Sequence, residues 1–132
     1  MSEISTQLPP LAEAPAMARQ VLAEFVAEAL PREMLEDAAL LTSEVVTNSV
    51  QHAGLSTSEG IGIELVLSDD YLRVSVTDPG PGFEPDLDAP VLEQETGGWG
   101  LTLVDRVSDR WGVVRNSPNV VWFELDRRTT IS

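Results

Sequence analysis

Three short segments hold most of the residues able to do chemistry in this chain. In the first, Glu44, Asn48 and His52 recur at every fourth position. A four-residue step on an α-helix advances about 400°, so these side chains drift by only ~40° per step and share a stripe. Leu41 and Val45 border that stripe, so a polar row runs beside the face that would be buried. Polar groups there are costly unless they find a hydrogen bond, a ligand or an ion. The Asn carbonyl is a hard oxygen donor suited to Mg²⁺, and Glu can accept a proton or orient a nucleophile. An ordinary polar helix face ending in a satisfied histidine fits the same spacing. In the second segment, Asp78-Pro79-Gly80-Pro81-Gly82 follows a strand-like run. Its alternating glycines let backbone approach a flat ligand closely, and the aspartate can accept a hydrogen bond from an amine. A plain turn would use the same residues. The third, Gly97-Gly98-Trp99-Gly100-Leu101, stands ahead of a helix, where free N–H groups and the positive dipole end suit phosphate; a glycine hinge without a ligand is the other reading.

Composition narrows the chemistry. At 132 residues the chain makes one ordinary domain, able to bury about two-thirds of its unfolded surface. It has no cysteine, which excludes disulfides, thiolate zinc sites and cysteine nucleophiles, and its single histidine excludes a two-histidine metal site within one chain. All eight basic residues are arginine. A Walker A loop or a eukaryotic-type kinase lysine is therefore ruled out. The net charge of −14 argues against nucleic acid, whose backbone is bound through clustered Lys and Arg, and suits a basic protein partner or simple solubility. No apolar run approaches the roughly 20 residues of a bilayer span, and Met1–Pro10 does not read as a signal peptide. A soluble cytoplasmic protein without a membrane role is the expectation.

The elements that must position these segments follow from periodicity. Residues 1–12 read as an arm that could add an edge strand, 13–126 as a single domain and 127–132 as a tail. Met17, Val21, Leu22, Phe25, Val26 and Leu30 recur at helical spacing across Ala14–Leu30. After Pro31 a second helix runs from about Arg32 to His52, its apolar stripe including Leu35, Ala38, Leu41, Val45 and Val46. Ile61–Leu67 and Tyr71–Thr77 alternate as two strands of a hairpin around Ser68-Asp69-Asp70. Phe83–Thr96, flanked by Pro81, has no sustained periodicity and reads as a long loop or lid. Gly100–Asp109 is a short helix, and Trp111–Arg115 and Val120–Leu125 are two further strands. The order predicts an α/β (α+β) two-layer sandwich, a mostly antiparallel sheet covered on one face by helices.

In order and spacing, the three segments resemble the nucleotide site of the GHKL ATPases (gyrase, heat-shock 90, histidine kinases, mismatch-repair ATPases). Within that superfamily the chain is similar to the small bacterial anti-sigma-factor serine kinases. The likeness runs from roughly Leu11 to Leu125 and is most specific at Ser43–Ala53, Val76–Phe83 and Gly100–Asp105. It implies a Bergerat-type ATP-binding fold that uses ATP or ADP with Mg²⁺. It implies further that Glu44 is the general base, that Asn48 ligates Mg²⁺ and that Asp78 binds the adenine amino group. His52 and Leu101 would join the cofactor site, and Gly80, Gly82, Gly98 and Gly100 would shape the adenine pocket and phosphate lid. Such proteins dimerise, hold a sigma factor inactive and phosphorylate a small antagonist (anti-anti-sigma) protein on serine or threonine.

Three departures bear on catalysis. Trp99 stands where this branch usually has arginine, Val120 where many relatives carry a hydroxyl, and the lid holds Glu84, Asp86, Asp88, Glu93 and Glu95 with no basic residue. A second reading is therefore a nucleotide-binding or nucleotide-free module that sequesters a partner without chemistry. A third is a detached histidine-kinase catalytic domain.

Overall fold

A computed structural model describes residues 1–9, 11–53, 60–78, 101–115 and 119–127, with backbone alone at residues 52, 53 and 115. Eight elements follow in order: β1 (Ser2–Leu8), α1 (Ala14–Val26), α2 (Arg32–Ala53), β2 (Ile61–Leu67), β3 (Tyr71–Asp78), α3 (Leu101–Val107), β4 (Arg110–Arg115) and β5 (Asn119–Asp126). The strands form one sheet in the order β1-β2-β3-β5-β4, with every neighbour antiparallel. The predicted two-layer α/β architecture is the one observed.

Period-two patterning decides which face the helices cover. Ile61, Ile63 and Leu65 of β2, Leu72, Val74 and Val76 of β3, and Phe123 and Leu125 of β5 are all buried on one side. Each such side chain stabilises the fold by roughly 1.5–3 kcal/mol relative to exposure. From α2 come Ala38, Leu41, Val45 and Val46. On α1 the buried stripe is Ala14, Ala18, Leu22 and Val26, while Met17 is 40% exposed. The helix thus lies rotated from the stripe its large apolar residues suggest, and its alanines let it pack against α2, β1 and β2. It ends at Val26, earlier than periodicity predicts, and Ala27 leaves it at φ 44°.

The expected arm is, over Ser2–Leu8, a full edge strand paired with Ile61–Leu67. Only Leu8 of this strand is buried, so the alternation that marks a half-buried strand is weak in its sequence.

Arg127, just past β5, fixes which end of the helix layer meets which end of the sheet. Its backbone N–H donates to the Asp70 carbonyl at 2.8 Å. Its guanidinium donates to the Ser68 carbonyl at 2.6 Å and the Ala29 carbonyl at 3.2 Å. The start of α2 is thereby held at the Tyr71 end of β3, and the two elements run on from there while packed together. Sixteen residues at ~1.5 Å rise bring α2 about 24 Å onward to Asn48, and seven at ~3.3 Å bring β3 about 23 Å to Asp78. α3 packs on α2 and on β4.

Candidate functional site

The candidate residues lie on α2, at the end of β3 and at the start of α3, and both β3 and α3 pack on α2. Glu44 and Asn48 follow one another up α2, the second deeper than the first. Glu44 is half-buried, and Asn48 is buried at 6% exposure. The Asn48 Oδ1 oxygen has no hydrogen-bond partner among the described residues. An amide oxygen without a partner at that depth costs ~1–3 kcal/mol, a penalty a cation or donor arriving from outside would remove. His52 lies in the last turn of α2, where only the backbone is described.

Asp78 is also buried at 6% exposure. It continues the core-facing series Leu72, Val74, Val76, so its carboxylate belongs to the helix-covered side, and its Cα partner across the sheet is Asn119 of β5. Sequence reading did not single out Asn119, because register appears only in the folded sheet. Leu101 opens α3 and is partly buried. Glu44 and Asn48 thus lie on α2, Asp78 at the end of β3 and Leu101 at the start of α3, and β3 and α3 both pack on α2. Gly80, Gly82, Gly98, Gly100, Trp99 and the lid from Phe83 to Thr96 lie outside the described residues.

Val120 requires a correction. Its missing hydroxyl is one of the departures that would bear on catalysis, but Val120 pairs with Thr77 and lines a groove on the outer face of the sheet. It therefore stands on the opposite side of the sheet from Asn48 and Asp78, and its lack of a hydroxyl bears on that outer face.

A built metal centre is not what this geometry offers. No group of three His, Cys, Asp or Glu side chains among the described residues could hold a metal ion. A Mg²⁺ ion here would take one protein oxygen, that of Asn48, with its other ligands from water or a bound phosphate chain, as this ion commonly does. The orphaned carbonyl fits that role.

The arrangement defines a class. The chain belongs to the family described as the histidine kinase-like ATPase domain, whose model matches residues 8–125. The serine-protein kinase RsbW of Listeria monocytogenes is 30% identical over 119 residues, covering 81% of this chain and 76% of that protein. The anti-sigma F factor of Bacillus cereus is 29% identical over 123 residues, covering 87% and 84%. Among solved structures, the RsbU and RsbW domains of Rv1364c from Mycobacterium tuberculosis superpose with a TM-score of 0.74 at 20% identity. That match takes in 98% of this chain but spans about a third of the mycobacterial chain, at 33%. At such identity the likeness is one of fold. No helix among the described residues is long and apolar enough to cross a membrane.

Proposed function

We propose that this chain is an ATP-binding regulator of the anti-sigma-factor type that phosphorylates an antagonist protein on serine or threonine. The observation that carries the reading is the buried Asn48 carbonyl, without a hydrogen-bond partner among the described residues, on a helix packed against the strand that ends in the buried Asp78. Asp78 would accept a hydrogen bond from the adenine amino group, and Asn48 Oδ1 would hold Mg²⁺. When bound, the ion neutralises charge on the phosphates, the main requirement of phosphoryl transfer. Glu44, half-buried one turn before Asn48, takes the proton of the partner's hydroxyl. His52, Gly80, Gly82, Gly98, Gly100 and Leu101 complete the nucleotide site. The partners are a sigma factor and its antagonist, the setting is the cytoplasm, and the working unit is a homodimer.

A second reading keeps nucleotide and partner binding without transfer. It is favoured by Trp99 in the glycine segment, where this branch usually has arginine, and by the composition of Phe83–Thr96, which has five carboxylates and no basic residue to attract a triphosphate.

Isothermal titration with ATP, ADP and AMP-PNP, with and without Mg²⁺, tests the pocket. Binding should depend on Mg²⁺ and weaken at least tenfold in Asp78→Asn; equal affinity in that variant would remove the adenine assignment. With an antagonist in hand, Glu44→Ala should bind ATP normally and transfer no phosphate. A native chain that binds both ligands and leaves the partner unmodified supports the second reading.

A further inference from the structure

On the helix-facing side of the sheet, β3 and β5 meet in a ladder of directly opposed side chains. Leu72 stands opposite Leu125, Val74 opposite Phe123 and Val76 opposite Val121. All of these are buried except Val121, which packs against the core from a partly buried position. The last pair breaks the series, because Asp78 stands opposite Asn119. A buried carboxylate and a partly buried carboxamide thus close a ladder that is otherwise hydrocarbon. Opposed Cβ atoms in an antiparallel pair lie about 4.5–5.5 Å apart, so the two polar heads are neighbours.

Packing does not explain the choice of residue at 119. Its backbone is paired on both sides, with Asp78 of β3 and Arg115 of β4. Asparagine is depleted in strands, and the residues that follow on its own face are Val121, Phe123 and Leu125. An asparagine that serves a turn belongs outside the ladder, and this one stands within it. A side chain that breaks the local rule inside a regular element marks a position shaped by something other than the core.

The chemistry of the pair is directional. A carboxylate only accepts hydrogen bonds, whereas a carboxamide has two N–H donors on one atom and an acceptor on the other. Beside Asp78, the favourable orientation of Asn119 turns its NH₂ group toward the carboxylate. One N–H can then serve Asp78, and the second is held next to it, ready for an acceptor. The pair offers an acceptor and a donor side by side. The Watson–Crick edge of adenine offers the converse, its N6 amino donor beside the N1 acceptor. Guanine reverses both, and would set acceptor against acceptor and donor against donor.

We propose that Asn119 is a specificity-determining residue of the nucleotide site, donating to adenine N1 while Asp78 accepts from the N6 amino group. This rests on the adenine role given to Asp78 above and adds the donor that a carboxylate cannot supply. A site that hydrogen-bonds a ligand atom rejects the analogue lacking it, because its own polar group is left unpaired.

Isothermal titration with ATP and with 1-deaza-ATP, in the presence of Mg²⁺, tests this. In the analogue a C–H replaces N1 and the amino group is kept. The native chain should bind it about tenfold more weakly than ATP, or worse. Asn119→Leu, close in volume, should lose about as much affinity for ATP and hold the two nucleotides alike. A purely structural role would weaken both nucleotides together and preserve their ratio, and that result would overturn the assignment. A native chain that binds ATP and 1-deaza-ATP equally would overturn it too. In both cases the Asp78→Asn titration still decides the adenine reading by itself. Asn119→Ala gives the same comparison should circular dichroism show Asn119→Leu unfolded. A native chain that binds neither nucleotide would end this inference together with the site on which it rests.

Discussion

Two unpartnered polar atoms on α2 mark different things. Asn48 Oδ1 has no hydrogen-bond partner among the described residues, and a ligand can answer it. Thr42 Oγ1 is equally without a partner among the described residues, but Thr42 is fully buried, on a helix whose Ala38, Leu41, Val45 and Val46 are in the core. Nothing from solvent reaches it. Thr42→Val keeps the shape and removes a buried hydroxyl, so it should raise the unfolding free energy by about 1 kcal/mol. A higher urea midpoint at unchanged slope would show it, and nucleotide affinity should not move. Glu44, Asn48 and Asp78 were legible in the sequence because spacing alone places them: period 3.6 on α2, and the end of an alternating run on β3. Trp122 was visible only as part of a family-like ending. That it lies over Gly112 and beneath Arg73 depends on a register joining residues ten and 49 positions away.

At the scale of elements, the junction of α1 and α2 is strained and tied down. Ala27 adopts φ 44° and ψ −117°, a region glycine enters readily and residues with a Cβ avoid. Two residues on, the Ala29 carbonyl accepts from Arg127. Ala27→Gly should relieve that strain and raise stability by about 1 kcal/mol, measurable as a rise in thermal midpoint of several degrees. An unchanged or lower midpoint would mean that the loop accommodates alanine without cost. The sequence announces α2 well, since Pro31 and a long apolar stripe frame it. It announces β1 poorly, because Ser2, Glu3, Ser5, Thr6 and Gln7 are polar on an exposed edge. A strand at the border of a sheet needs hydrogen bonds more than burial, and hydrogen-bonding capacity leaves no periodic mark.

Over the whole molecule the dominant quantity is charge. With 22 acidic residues against eight basic, self-repulsion opposes the compact state. Screening at ~8–10 Å, reached near 0.1–0.15 M salt, should relieve it. The thermal midpoint should therefore rise between 10 mM and 300 mM NaCl, scanned at one protein concentration. A falling midpoint would show that ion pairs such as Arg73–Glu124–Arg110 outweigh the repulsion. The strand order carries a further consequence. β5, the last strand of the chain, lies inside the sheet between β3 and β4 and brings Phe123 and Leu125 to the core. During synthesis, therefore, β3 has an open side until residue 126 is made, and the two helices rest on an unfinished floor. The fold closes late, by insertion of a central stave, and a chain stopped before β5 is a substrate for chaperones or for aggregation rather than a smaller working domain.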